Sequence, residues 1–238
     1  MSELRSVALR GDLFSQRIRE QWTEQLGRRL DLLMVGCVHE EELDLERIET
    51  RITGVDEDLP AIRARVEQRT DLTSWTLGDL RSVPVRPRSY DVIMISYLLE
   101  RILHTELVLD RLLHGLRPGG LMLIRMRDRN SAYGLCDRIT PGWMRKALWS
   151  RLVPAGTTGP LPAIYERVTS RDGMHAFCLV RGLMITDDET STSGPAMGRV
   201  GGAVVALADK LSRGRNTSSH DEVTMVIRKP QNHFARLI

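Results

Sequence analysis

The 238-residue sequence predicts an α/β domain built on a mostly parallel sheet, and three observations carry that expectation. Between about residues 30 and 127, short apolar runs alternate with helical patterns, the signature of strands joined through covering helices. Two of the runs, Asp-Leu-Leu-Met-Val from Asp31 and Asp-Val-Ile-Met-Ile from Asp91, are apolar on both faces, as strands buried under helices on each side must be. Finally, Leu-Arg-Pro-Gly-Gly from Leu116 reads as a helix stop followed by a tight turn into a strand.

The elements follow in order. Residues 13–30 read as one amphipathic helix, because Phe14, Ile18, Trp22 and Leu26 fall four apart on one stripe; it is expected to cover a sheet edge or the ligand crevice. Strands are expected at 30–36, 51–55, 73–77, 91–96 and 121–126, with helices at 40–49, 59–69 and 103–116. Downstream, 141–153 reads as a helix carrying Trp143, Met144, Leu148 and Trp149, followed by a Gly- and Pro-rich loop at 154–162. A helix at 169–181 precedes a strand at 183–186, and the last strand, Glu222–Arg228, is stopped by Pro230. Between these two strands, 187–221 is an insertion with its own helix near 198–211. The small-residue stretch 200–208 suits a helix packed on the body better than a membrane-touching stripe. The expected organisation is an N-terminal helical extension, 1–29, and one domain, 30–238.

Composition narrows the function classes. Apolar residues make up 42% and charged residues 27%, as in a soluble globular chain. No apolar run approaches the roughly 20 residues of a membrane-spanning helix. All but three of the 34 basic side chains are arginines, and they are interleaved with 31 acidic ones for a net charge of +3. With no basic block, no nucleic-acid partner is expected. Three scattered cysteines make no disulfide framework, and the start lacks a secretory pattern, so a cytoplasmic location is expected. Cys37, His39 and Glu40 mix metal-ligand types, but Cys-x-His alone does not close a zinc site, and no metal is expected. Neither a Walker loop nor Gly-x-Gly-x-x-Gly is present.

In an open parallel sheet, ligands bind beyond the carboxyl ends of the strands. Residues just past each run therefore matter most. These are Gly36-Cys37-Val38-His39-Glu40, then Asp56, then Gly78-Asp79-Leu80, then Ser96-Tyr97-Leu98-Leu99-Glu100. Asp56 lies 20 residues after Gly36, a distance that suits an acidic side chain accepting from ribose hydroxyls. Asp79 can reach an exocyclic amine of adenine. A nucleoside ligand is the leading expectation.

Those motifs, with Thr-Gly-Val-Asp, Leu-Gly-Asp-Leu, Tyr-Asp-Val-Ile-Met-Ile-Ser-Tyr-Leu-Leu-Glu and Leu-Arg-Pro-Gly-Gly-Leu, resemble the class I S-adenosylmethionine-dependent methyltransferases over about residues 30–127. The resemblance implies a Rossmann-like, doubly wound sheet of seven strands, ordered 3-2-1-4-5-7-6 with the last strand antiparallel. It implies S-adenosyl-L-methionine as cofactor, with Gly36 and Cys37 in the first loop and Asp56 and Glu57 at the ribose. Asp79 and Leu80 would face the adenine, and Ser96 and Tyr97 would line the methionine end. The implied partner is a small-molecule or glycan-type acceptor. The alternative is a catalytically silent relative that acts as a partner or regulatory subunit; a homodimer or a protein partner is the further partner expectation, and the insertion is read as a dimer contact or a lid.

The family's first loop carries Gly-x-Gly-x-Gly, whose bare backbone lets amides approach the ligand. Here Val38 and Glu40 stand at the second and third glycine positions, so their side chains are expected to crowd the cofactor. Candidates for proton transfer are His104, Glu100 and His39, each with a structural role as the alternative; for Glu100 that role is to cap the helix that follows. Tyr133, Trp143, Tyr165 and His175 fall where this family builds its acceptor pocket, with core packing the alternative for each aromatic.

Overall fold

A computed structural model describes residues 3–38, 43–45, 48–144, 161–192 and 220–231. Its elements are α1 (Glu3–Glu24), β1 (Leu30–Val35), β2 (Thr50–Asp56), α2 (Pro60–Val66), β3 (Ser74–Leu77), β4 (Tyr90–Ser96), α3 (Thr105–Gly115), β5 (Leu116–Arg127), α4 (Ala132–Ile139), α5 (Arg171–Arg181), β6 (Met184–Ser191) and β7 (Glu222–Arg228). The seven strands form one sheet in the order β3-β2-β1-β4-β5-β7-β6. The first five pair in parallel, and β7 runs antiparallel to both neighbours. This is the expected topology.

Strand alternation builds the two covering layers. Leu32 and Met34 of β1, with Val92 and Met94 of β4, face a cluster completed by Phe14 and Ile18 of α1 and Ile62 and Val66 of α2. Leu33, Val35, Ile93 and Ile95 face the opposite cluster, completed by Val108, Leu109 and Leu112 of α3 and Met174 and Phe177 of α5. Strands β1 and β4 are buried along their whole length, which explains their unbroken apolar runs.

Four expectations need correction. The first helix occupies Glu3–Glu24 and lies on a sheet face. Phe14 and Ile18 are buried, but Leu26 is 95% exposed, because Leu26 and Gly27 turn left-handed and end the helix before the stripe's last member. No helix forms in the described parts of 40–49: Leu43, Leu45 and Ile48 pack on the core, and the Asp44 amide donates to the Ser15 hydroxyl over 3.0 Å. The turn at Leu116 belongs to β5, since Leu116 already pairs with Tyr90 and the register then shifts before Val92 meets Leu121. β6 extends to Ser191, into the span read as insertion. The expected helix at 198–211 lies outside the described residues, as does 145–153 of the helix expected at 141–153. No described helix is long and apolar enough to cross a membrane.

Candidate functional site

The carboxyl ends of β1, β2, β3 and β4 meet at one crest. Gly36 ends β1 with φ +77, a conformation that favours glycine, and its amide extends the ladder to the Val55 carbonyl at 2.9 Å. A Cβ on Gly36 would stand 3.2 Å from the Leu98 side chain. The loop then turns into the sheet face. Cys37 is fully buried and Val38 nearly so, and Val38 takes no left-handed φ. Val38 therefore does not crowd the crest: its side chain is core, and only its amide faces Asp56. Burial pushes the Cys37 thiol up to about 12, so no thiolate is available there. Cys37 offers its backbone alone. His39 and Glu40 lie outside the described residues.

Asp56 closes β2 as a brace. Its Oδ2 accepts from the Val38 amide at 3.1 Å and its Oδ1 from the Glu57 amide at 2.8 Å. The side chain is 3% exposed, and burial, opposed by those two amides, raises its pKa from 3.8 to about 6. It borders a small void of about 10 Å³ with Leu98, Arg101, Ile102 and Leu161, room for about one water.

Glu57, by contrast, opens on a cavity of about 360 Å³. Gly78, Asp79, Leu80 and Arg81 form one side, Ile102, Leu103 and Val108 another, and Pro162 and Ile164 close it. Partial burial raises Glu57, helped by the nearby charge of Asp79. Asp79 is exposed and lowered to about 2, first by its side-chain hydrogen bond from Arg81, which grips both carboxylate oxygens at 2.6–3.0 Å. Leu80 is buried and forms an apolar wall.

The tip of β4 faces the other way along the crest. Ser96 is buried. Tyr97 has φ +52, and its hydroxyl donates to Glu222 Oε2 at 2.5 Å; burial and that carboxylate push its pKa far up. The Arg127 guanidinium sits over the rings of Tyr97 and Tyr133, at 5.4 and 5.0 Å, and pairs with Asp221. Beside it, Arg101 and Asp137 form a buried ion pair at 2.7 Å, and Tyr165 donates to Asp137 at 3.0 Å.

Glu100 is buried, and its two carboxylate oxygens have no hydrogen-bond partner among the described residues. Desolvation raises its pKa, opposed first by the neighbouring Arg101 charge. It does not cap α3; Glu166 does, accepting from the His104 and Thr105 amides at 2.7 and 2.9 Å. The Glu100 carbonyl instead accepts from Ile164 and Tyr165 at 3.0 and 3.1 Å, tying down the segment that roofs the cavity. His104 is exposed with φ +58, near enough to Asp79 to lower it slightly. Among the aromatics, Tyr133 and Tyr165 are buried and Trp143 is 73% exposed, while His175 pairs with Asp188 at 2.7 Å on the surface.

The crest thus gathers Gly36, Asp56, Glu57, Asp79 and Leu80 at one half and Ser96, Tyr97 and Glu100 toward the other. Sequence reasoning missed Arg81, Ile102, Leu103 and the Pro162–Ile164 roof. Arg81 stands two residues from Asp79, a spacing that could have shown it. The roof comes from some 60 residues beyond β4 and left no local signal.

Residues 33–124 match the family model described as "Methyltransferase domain". No curated protein matches the chain. Solved structures share its fold. An S-adenosylmethionine-dependent methyltransferase from Mesorhizobium loti is 14% identical, with a TM-score of 0.54 over 84% of this chain and 91% of that one. A protein from Galdieria sulphuraria is 14% identical at TM-score 0.58, covering 95% and 88%. The [4+2]-cyclase SpnF is 16% identical at TM-score 0.53, covering 93% and 82%. The match over residues 33–124 marks a methyltransferase domain there, and the order of all seven strands is that of the class I S-adenosylmethionine-dependent methyltransferase fold.

Proposed function

We propose that the protein transfers a methyl group from S-adenosylmethionine to a small-molecule or glycan-type acceptor. The observation that carries this reading is the cavity of about 360 Å³ at the carboxyl ends of β2, β3 and β4. It falls within the size range of small-ligand sites, and its lining suits adenosine. Leu80, Ile102 and Leu103 offer an apolar slot for the base. Asp79 stands at the edge where an exocyclic amine would point, and Glu57 presents a carboxylate to the ribose hydroxyls. Asp56, with both oxygens held by backbone amides, keeps the first loop and Glu57 in place. When bound, the donor supplies an electrophilic methyl group.

The chain's own contribution is alignment and water exclusion. The Glu100 carbonyl holds the roof shut through Ile164 and Tyr165. The buried pairs of Arg101 with Asp137 and Arg127 with Asp221 stiffen the acceptor side. The fold alone does not name the chemistry, since the structurally similar SpnF is a cyclase; the reading rests on the cavity. Calorimetry with S-adenosylhomocysteine tests it. Micromolar binding that weakens at least about tenfold in Glu57→Ala supports it, since a hydrogen bond to a charged group contributes about 1.5–3 kcal/mol. No heat at millimolar ligand favours a silent scaffold instead.

A further inference from the structure

Arg81 lines the same cavity as Glu57, Asp79 and Leu80, and adenosine recognition through Asp79 and Glu57 leaves it no task beyond gripping Asp79. Its Nε donates to both Asp79 oxygens, at 2.9 and 3.0 Å, and its Nη2 donates to Oδ2 at 2.6 Å. Both residues are exposed, and an exposed ion pair contributes little to folding. What the fork does fix is direction, because a planar guanidinium held through two of its nitrogens lies in the plane of the carboxylate.

The backbone beneath the pair is fixed as well. The Asp79 carbonyl accepts from the Ser82 and Val83 amides at 2.8 and 2.7 Å, and Asp79 Oδ1 accepts from the Arg81 amide at 2.8 Å. Leu80 and Val83 are core residues, and Arg111 Nη2 donates to the Val83 carbonyl at 2.7 Å. Arg81 therefore stands on a rigid turn in the cavity wall, near enough to Glu57 for the two charges to interact.

A side-on fork of this kind leaves an edge of mixed character. Arg81 commits Nε–H and one N–H of Nη2 to Asp79, so Nη2 keeps a second N–H, on the side where Oδ2 keeps acceptor capacity. Adenine carries the complement: its exocyclic amine donates, and the ring nitrogens that flank the amine, N1 and N7, accept. We infer that Arg81 is a specificity-determining residue of the donor site: Asp79 accepts from the exocyclic amine while Arg81 Nη2 donates to the ring nitrogen beside it. The inference rests on the donor reading and adds a second contact to the base. A purine with a carbonyl in place of the amine sets oxygen against the Asp79 carboxylate and is disfavoured.

Calorimetry on the full chain tests it with S-adenosylhomocysteine and its 1-deaza and 7-deaza forms, each of which replaces one ring nitrogen by C–H. Wild type should bind at least one deaza form about fivefold or more weaker than the parent, and Arg81→Ala should bind that form and the parent equally. A deaza penalty of the same size in Arg81→Ala overturns the inference, because another group then reads the nitrogen. Equal binding of all three ligands by wild type overturns it too. So does an Arg81→Ala that binds none of them, since the residue would then shape the pocket as a whole. In each of these cases, binding of the parent by wild type leaves the donor reading standing. A wild type that binds none of the three sinks the donor reading and takes the inference with it.

Discussion

Asp56 gives the sharpest quantitative test, because one carboxylate both braces the first loop and bears the cost of burial. Its pKa rises from 3.8 to about 6 on folding. A raised carboxyl contributes stability that is fully present below its unfolded value and is lost as pH rises through its folded value. At about 1.36 kcal/mol per tenfold change in proton affinity, ionising Asp56 removes about 3 kcal/mol between acid and neutral pH. Of this, about 1.4 kcal/mol falls between about pH 5 and pH 7.5. Asp56→Asn cannot ionise and keeps one oxygen to accept from the backbone. Urea unfolding of both proteins at those two pH values should therefore show the variant gaining about 1.4 kcal/mol relative to wild type as pH rises. The contribution from Glu100, also raised, cancels in the difference, and that from Glu57 cancels apart from its charge coupling to Asp56. A pH-independent difference would refute the claim that the carboxylate is desolvated.

Other substitutions test the surroundings. Asp137→Ala leaves the Arg101 guanidinium buried without its carboxylate and should cost about 3–5 kcal/mol in urea unfolding, whereas Tyr165→Phe, which removes one hydroxyl donor, should cost about 1 kcal/mol. Glu166→Ala removes the cap of α3 and should cost about 1 kcal/mol, with faster hydrogen exchange at the His104 and Thr105 amides. Gly36→Ala forces a side chain into a left-handed backbone 3.2 Å from Leu98 and should lower stability by about 1–2 kcal/mol.

Much of the fold was legible because its signals are local. The runs from Asp31 and Asp91 are apolar on both faces, and β1 and β4 are covered on both faces. α5 begins at Ser170, whose hydroxyl accepts from the Gly173 amide, and ends at Gly182 with φ +62, both readable as caps. Where periodicity misled, tertiary contacts decided: the segment 40–49 carries a helical pattern, yet Leu43, Leu45 and Ile48 are drawn out against the core. At the crest, Asp56, Asp79 and Leu80 were singled out by their position after strands, and the structure places them at the ends of β2 and β3. The consequence of Val38 was not, because whether its side chain faces ligand or core depends on how the loop turns after Gly36. Pairings such as Tyr97 with Glu222 and Asp128 with His220 join residues more than 90 apart in the chain. No spacing rule finds them.

The central claim is that adenosine lies in the cavity between Leu80 and Leu103 with its sugar at Glu57. A crystal structure determined with saturating S-adenosylhomocysteine addresses it most directly. The account predicts the base against Leu80 and Ile102 and a ribose hydroxyl within hydrogen-bond distance of Glu57. Adenosine bound elsewhere, or a cavity left empty at saturating ligand, would contradict it.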